Sequence, residues 1–131
     1  MLHRRHALVA LQVEFSPLQM AAQADGTLQQ CVDLGLTAMA WLPLGGGRLF
    51  GDDTQVIRVR NVLQTLGAPH GASIATLAFA WVLRHPARSH PINASGRIEA
   101  LRGAVAALAE PPILADDWYR VWQASMGREV A

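Results

Sequence analysis

The stretch AWLPLGGGRLF, residues 40–50, sets the problem. A short apolar run ends at Trp41 and Pro43; three consecutive glycines follow, then Arg48. Glycine loses more conformational freedom on folding than any other residue. Three in a row therefore belong where φ must be positive or where another group must approach the main chain. The residues alone leave two readings open: a ligand-binding loop at the end of a buried strand, or a flexible turn.

Upstream, TAMAWLP (37–43) reads as a strand that begins directly after Gly35. Gly35 stands where a helix C-cap belongs, and Leu28, Cys31, Val32 and Leu34 before it repeat at helical spacing, with Asp25 or Thr27 as the cap. Before that helix, ALVALQVEF (7–15) is apolar almost throughout, as expected of a strand covered on both faces, and Ser16 and Pro17 end it. Downstream of the glycines, Asp52 and Asp53 read as a turn and helix start. Residues 56–66 form a helix, and LGAPHGAS breaks it. Ser73 then caps a stronger helix whose Ile74, Leu77, Ala78, Trp81 and Val82 bury a wide face, with Pro86 past its end. Residues 90–95 give a brief strand and loop. Helices follow over about 97–108 and 114–125, the last pinned by Trp118 and Trp122.

The order strand, helix, strand, helix, strand, helix, with short connections, indicates parallel βαβ units. A doubly wound dinucleotide fold would open with strand, GxGxxG, helix, and that motif is absent. Gln12, Trp41, the glycines and the segment from Asn93 to Arg97 instead fall at strand C-terminal ends, the pattern of a (β/α)8 barrel. Such a barrel takes about 250 residues and eight strands. The expected fold is therefore α/β: a partial (β/α)8 TIM barrel, three parallel strands alternating with helices plus a C-terminal helix, in a single domain over residues 1–131.

Composition narrows the function classes. At 51% hydrophobic and 16% charged, the 131-residue chain is too apolar to be disordered. A net charge of +1 without a basic stripe excludes a nucleic acid held by electrostatics; HRRH (3–6) reads as a solvated end. The N-terminus has only residues 7–11 as an apolar run and no small-residue cleavage site. No stretch approaches the roughly 18 apolar residues of a membrane span, so no membrane partner and a cytoplasmic location are expected. Cys31, the one cysteine, lies on an amphipathic run and reads as a buried structural thiol. His3 and His6 lack acidic or Cys partners for a metal, and His70, His85 and His90 are expected to be exposed.

Four blocks carry a family resemblance: LQVEFSP (11–17), CVDLGLTAMAWLPLGGGRLF (31–50), LAFAWVLRHP (77–86) and PINASGRIEALRGAV (91–105). In this order and spacing they resemble the last three β/α units of the aldo-keto reductases, and most nearly bacterial oxidoreductases with a GGGRLF loop. The resemblance implies an NADPH-dependent carbonyl reductase with NADP(H) extended across the strand C-terminal ends. By position, Gln12 matches the residue that bonds the nicotinamide carboxamide, and Trp41 the aromatic that stacks on its ring. Leu44, Gly45, Gly46 and Arg48 match the loop around the pyrophosphate, and Ser95, Gly96 and Arg97 the segment that holds the 2′-phosphate. The chemistry suits these roles. Glycine lets phosphate oxygens approach backbone N–H groups, an indole face stacks on a flat ring, and a hydroxyl with a guanidinium at a helix start suits a dianion. Each residue also has a plainer reading: Gln12 bonding nearby backbone, Trp41 in the core, Ser95 as an N-cap.

Departures accompany the matches. Leu11 replaces an Asn beside Gln12, Ala100 replaces an Arg that clamps the 2′-phosphate, and Gly103 and Ala104 replace a Glu-Asn pair near the adenine. The family's proton-donating Tyr, with its Asp, Lys and His, has no counterpart here. Tyr119, the single tyrosine, falls in the last helix. The expectation is thus a fragment carrying the cofactor half, with no catalytic residue of its own. Its partners would be NADPH and a carbonyl substrate once completed by an N-terminal half-barrel. The alternative is an inactive truncated barrel that binds nucleotide weakly or only self-associates.

Overall fold

The computed structural model describes residues 5–130. Three parallel strands, β1 (Ala10–Glu14), β2 (Thr37–Trp41) and β3 (His90–Pro91), lie in that order in one sheet. Gln12 pairs with Met39, Glu14 with Trp41, and Met39 with His90. Side chains alternate along a strand, so Leu11, Val13, Ala38 and Ala40 share one face. Helices cover that face, and Ala38 and Ala40 have no exposure. Gln12, Glu14, Met39, Trp41 and His90 share the other, where Gln12 is exposed and Trp41 is 40% exposed.

This corrects the reading of residues 7–15 as a strand covered on both faces. β1 has five residues, Val9 before it is 82% exposed, and only one face meets helices. Apolar runs signal burial without distinguishing a sheet sandwiched between layers from one with a single layer behind it. β2 also ends earlier than residue 43, because Leu42 turns to φ +50°.

Six α-helices lie behind the sheet among the described residues: α1 (Ala21–Ala24), α2 (Thr27–Leu34), α3 (Thr54–Gly67), α4 (Ile74–Arg84), α5 (Ile98–Ala107) and α6 (Ala115–Met126). Their ends follow the sequence signals. Gly26, rather than Asp25 or Thr27, is the N-cap of α2, with Asp25 accepting from the Thr27 N–H at 2.9 Å, while Gly35, at φ +65°, turns its N–H onto the Cys31 carbonyl. Asp53 caps α3 by accepting from the Val56 N–H at 3.0 Å, and Ser73 caps α4 by accepting from the Thr76 N–H at 3.1 Å. The plainer reading of Ser95 as an N-cap does not hold. Arg97 occupies the N-cap of α5 without a side-chain bond, and Ser95 Oγ accepts the Arg97 N–H at 3.2 Å instead. The short α1 had no sequence signal.

Phe15, Leu28, Leu63, Phe79 and Trp81 fill the core, with Cys31 buried among them as expected. Burial in this apolar setting raises the Cys31 pKa, which keeps the thiol inert. α6 is locked on by two tryptophans. Trp81 Nε1 donates to the Trp118 carbonyl at 3.1 Å, Trp118 Nε1 donates to the Trp81 carbonyl at 3.0 Å, and the rings stack 4.7 Å apart. Trp122 packs edge-on against Trp118.

His70 and His90 are exposed, but His85 is only 7% exposed and corrects the expectation. It follows α4 directly, and packing against Phe15 and Trp118 draws the ring inward. His3 lies outside the described residues. Among those described, no three His, Cys, Asp or Glu side chains gather as a metal site, and no single helix is long and apolar enough to cross a membrane.

Candidate cofactor site

Leu42 to Phe50 lead out of β2 through a tight turn. Gly45, Gly46 and Gly47 stand at φ +64°, +65° and +90°, which is why the sequence needs glycine here. The segment is hydrogen-bonded: the Gly45 N–H reaches the Leu42 carbonyl at 2.8 Å and the Gly47 N–H the Leu44 carbonyl at 3.2 Å. The turn therefore has a defined, internally hydrogen-bonded path. Two of the three glycine amides are also already engaged. What the glycines offer a ligand is mainly close approach.

Opposite this turn lies the segment that leaves β3. Ser95 N–H bonds Asn93 Oδ1 at 3.2 Å, and Arg97 N–H bonds Ser95 Oγ at 3.2 Å. These nested turns leave the Ser95 hydroxyl proton available to a ligand. α5 then begins without a side-chain cap, so its first N–H groups lack intrahelical partners and its positive dipole end is open. The Arg97 guanidinium is exposed and forms no ion pair among the described residues. Between the two walls lies a cavity of about 510 Å³, at the C-terminal ends of β2 and β3. A second groove of about 770 Å³ shares Leu44, Phe50, Arg97 and Ala100 with it and continues along the α4–α5 junction.

The nine residues singled out from sequence divide into four groups. Leu44, Gly46, Ser95 and Arg97 line the cavity, with Gly96 exposed in the turn between the last two. Gly45 lies beneath: it is buried, and a Cβ there would stand 2.8 Å from Leu18 Cδ1. Arg48 turns to the far side, its Nη2 3.6 Å from Asp53 Oδ2 and 3.4 Å from Gln55 Oε1. Gln12 and Trp41 stand on the open face of the sheet, with Trp41 directly before the cavity wall, which begins at Leu42. Sequence reasoning missed Phe50, an aromatic wall that is 55% exposed while its neighbour Leu49 is fully buried. An aromatic directly after a glycine turn was the available signal.

The donors fit an elongated phosphorylated nucleotide. One guanidinium, one hydroxyl and an uncapped helix terminus face an anion, while Leu42, Leu44 and Phe50 offer apolar surface to a base or sugar.

Comparison with known proteins agrees with this geometry. The chain belongs to the aldo/keto reductase family, whose model matches residues 1–125. It is 41% identical over 126 residues to oxidoreductase YdhF of Escherichia coli (strain K12), covering 94% of this chain and 41% of that protein. It is 36% identical over 124 residues to a 6-dehydroglucose reductase of Novosphingobium aromaticivorans, covering 94% of this chain and 40% of the relative. Among solved structures it superposes on the thermostable aldo-keto reductase Tm1743, crystallised with the inhibitor epalrestat. That match has a TM-score of 0.72 at 25% identity and covers 86% of this chain and 38% of the other. The three-stranded layer therefore corresponds to part of an aldo-keto reductase barrel, and the chain spans about two fifths of the length of the curated relatives it matches.

Proposed function

We propose that this chain is the NADP(H)-binding part of a carbonyl-reducing oxidoreductase. One observation carries the reading: Ser95, Arg97 and the open N-terminus of α5 converge on a cavity whose other wall is the glycine turn. Arg97 and the Ser95 hydroxyl hold the 2′-phosphate, with the helix dipole adding to the attraction. Leu44 and Gly46 flank the pyrophosphate, and Gly45 sets the turn from beneath. Trp41 offers its exposed indole face to the nicotinamide ring, and Gln12 its amide to the carboxamide. Bound NADPH would supply the reducing equivalent for a carbonyl group. No side chain of this chain is assigned to proton donation, and Tyr119 stays on α6 away from the strand ends.

A second reading has its own support. Ile98, Leu101, Val105 and Leu108 form an apolar stripe along α5, each between 50% and 74% exposed. They follow the 3-4-3 spacing of a helix-packing seam. Gly103 meets Ala75 and Thr76 of α4, so the stripe lies away from that contact, where a neighbouring barrel helix would sit. A complementing half-barrel or a second copy would cover it, and the chain would then act by assembling.

Titrating the chain with NADPH and with NADH, alone and as Arg97→Ala, tests the first reading. NADPH should bind more tightly than NADH. Arg97→Ala should weaken NADPH by about tenfold, the worth of one charge-assisted bond, while leaving NADH nearly unchanged. A chain that binds neither nucleotide yet sediments as a multimer favours the second reading.

A further inference from the structure

Two side chains of α3 hold the glycine turn from behind without lining the cavity: Arg60 Nη1 donates to the Gly51 and Leu49 carbonyls at 2.6 and 3.5 Å, and Gln55 reaches Arg48. Gln55 lies in the first turn of α3, half-buried. Its Nε2 donates to the Leu18 carbonyl at 3.1 Å and to the Ser125 carbonyl and hydroxyl, both at 3.2 Å. Its Oε1 accepts from Arg48 Nη2 at 3.4 Å. A single amide thus joins three segments: the turn after β1, the glycine turn, and the C-terminal end of α6. We infer that Gln55 is the positioning residue of the pyrophosphate side of the site, and that through it the docking of α6 is coupled to the glycine turn. The inference rests on the nucleotide reading above.

Leu18 is the floor on which the turn rests, since the space over Gly45 is closed by Leu18 Cδ1. The Leu18 backbone is fixed at both polar groups. Its N–H bonds Ser16 Oγ at 3.1 Å, and its carbonyl takes the Gln55 amide. Arg48, the other end of the clamp, belongs to the turn itself. α6 enters through Ser125, which is 5% exposed, and the same end of α6 is tied to α3 where Arg58 Nε donates to the Ala124 carbonyl at 2.9 Å. Without Gln55, the Leu18 and Ser125 carbonyls lose a donor, and Arg48 keeps only its long contact with Asp53. The turn can then shift relative to Ser95 and Arg97. Glutamate cannot substitute, because its carboxylate would accept from Arg48 while facing two carbonyl oxygens with no proton to give.

Binding of NADPH and NADH to the chain, to Gln55→Ala, to Gln55→Glu and to Val59→Ala tests the inference. Val59→Ala opens a gap in the buried face of α3 without touching the clamp, so it controls for lost stability. Both Gln55 variants should lose about tenfold in affinity for both nucleotides, because the pyrophosphate is common to them. The NADPH-to-NADH ratio should stay that of the parent, and Val59→Ala should bind as the parent does. Gln55→Ala binding both nucleotides as tightly as the parent would overturn the inference and leave the nucleotide reading standing. If the parent binds neither, that reading fails, and hydrogen exchange in the nucleotide-free chain decides the coupling. Amides of residues 45–50 and of the end of α6 should then exchange about tenfold faster in Gln55→Ala than in Val59→Ala. Equal exchange would overturn the inference.

Discussion

Gly45 carries two constraints where Gly46 and Gly47 each carry one. Its φ of +64° strains any L-residue, and a Cβ would press on Leu18 Cδ1 at 2.8 Å. Gly47, at φ +90°, has the conformational constraint alone, with nothing within 4 Å of the added carbon. Gly45→Ala should therefore destabilise the chain by about 2–4 kcal/mol, combining left-handed strain of ~1–2 kcal/mol with overpacking. Gly47→Ala should cost only about 1–2 kcal/mol from the strain. Urea unfolding of the two variants measures the difference, and equal losses would contradict the steric part of the account. The need for positive φ was legible in three consecutive glycines. Their unequal roles were not, because Leu18 reaches Gly45 only through the tertiary fold. Arg48 makes the same point: its charge suited a phosphate, but a nearby Asp53 and Gln55 draw it to the other side of the turn.

Helix ends were legible where a single residue decides them. Gly35, Asp53 and Ser73 stop or cap as their chemistry requires. Ser95 was equally suited to capping, yet the chain enters helical geometry only three residues later, at Ile98, and the hydroxyl serves a turn. The end of α4 was misread for a related reason. A histidine before a proline resembles a solvated terminus, whereas packing against Phe15 and Trp118 draws His85 in.

There the ring joins two elements. Its Nδ1 accepts the Ala87 N–H at 3.0 Å, so Nε2 carries the proton and donates to Gln23 Oε1 of α1 at 2.6 Å. Burial lowers its pKa below 6.5. The unfolded chain thus takes up the proton first as the solution is acidified. The contribution to stability is complete above about pH 6.5 and is lost as pH falls from there through the lower folded value, at no more than ~1.4 kcal/mol per pH unit. Denaturant unfolding at a series of pH values should show this decline between neutrality and the range where carboxylates titrate. His85→Gln should flatten it. An unchanged slope in the variant would assign the decline to other groups.

The whole molecule is a sheet with one face and both edges open among the described residues, backed by helices on the other face. The parallel α/β order was legible from the strand and helix periods, and the four blocks carried the family. The open face was not, because Val13 and Ala38 look the same in sequence whether or not their opposite face is covered. The apolar stripe on α5 belongs to this scale too, since it is defined by what the described residues leave uncovered. The glycine turn and the start of α5 meet at one end of the sheet, where β2 and β3 finish and the cavity lies between them. The account stands on that cavity taking a phosphorylated dinucleotide. Amide chemical shifts of the isotopically labelled chain, followed during titration with NADPH, test it most directly. The account predicts that Gly46, Gly47, Ser95 and Arg97 shift together along one saturating curve, with the indole of Trp41 following. Shifts confined to other surfaces, or none up to millimolar nucleotide, would contradict it.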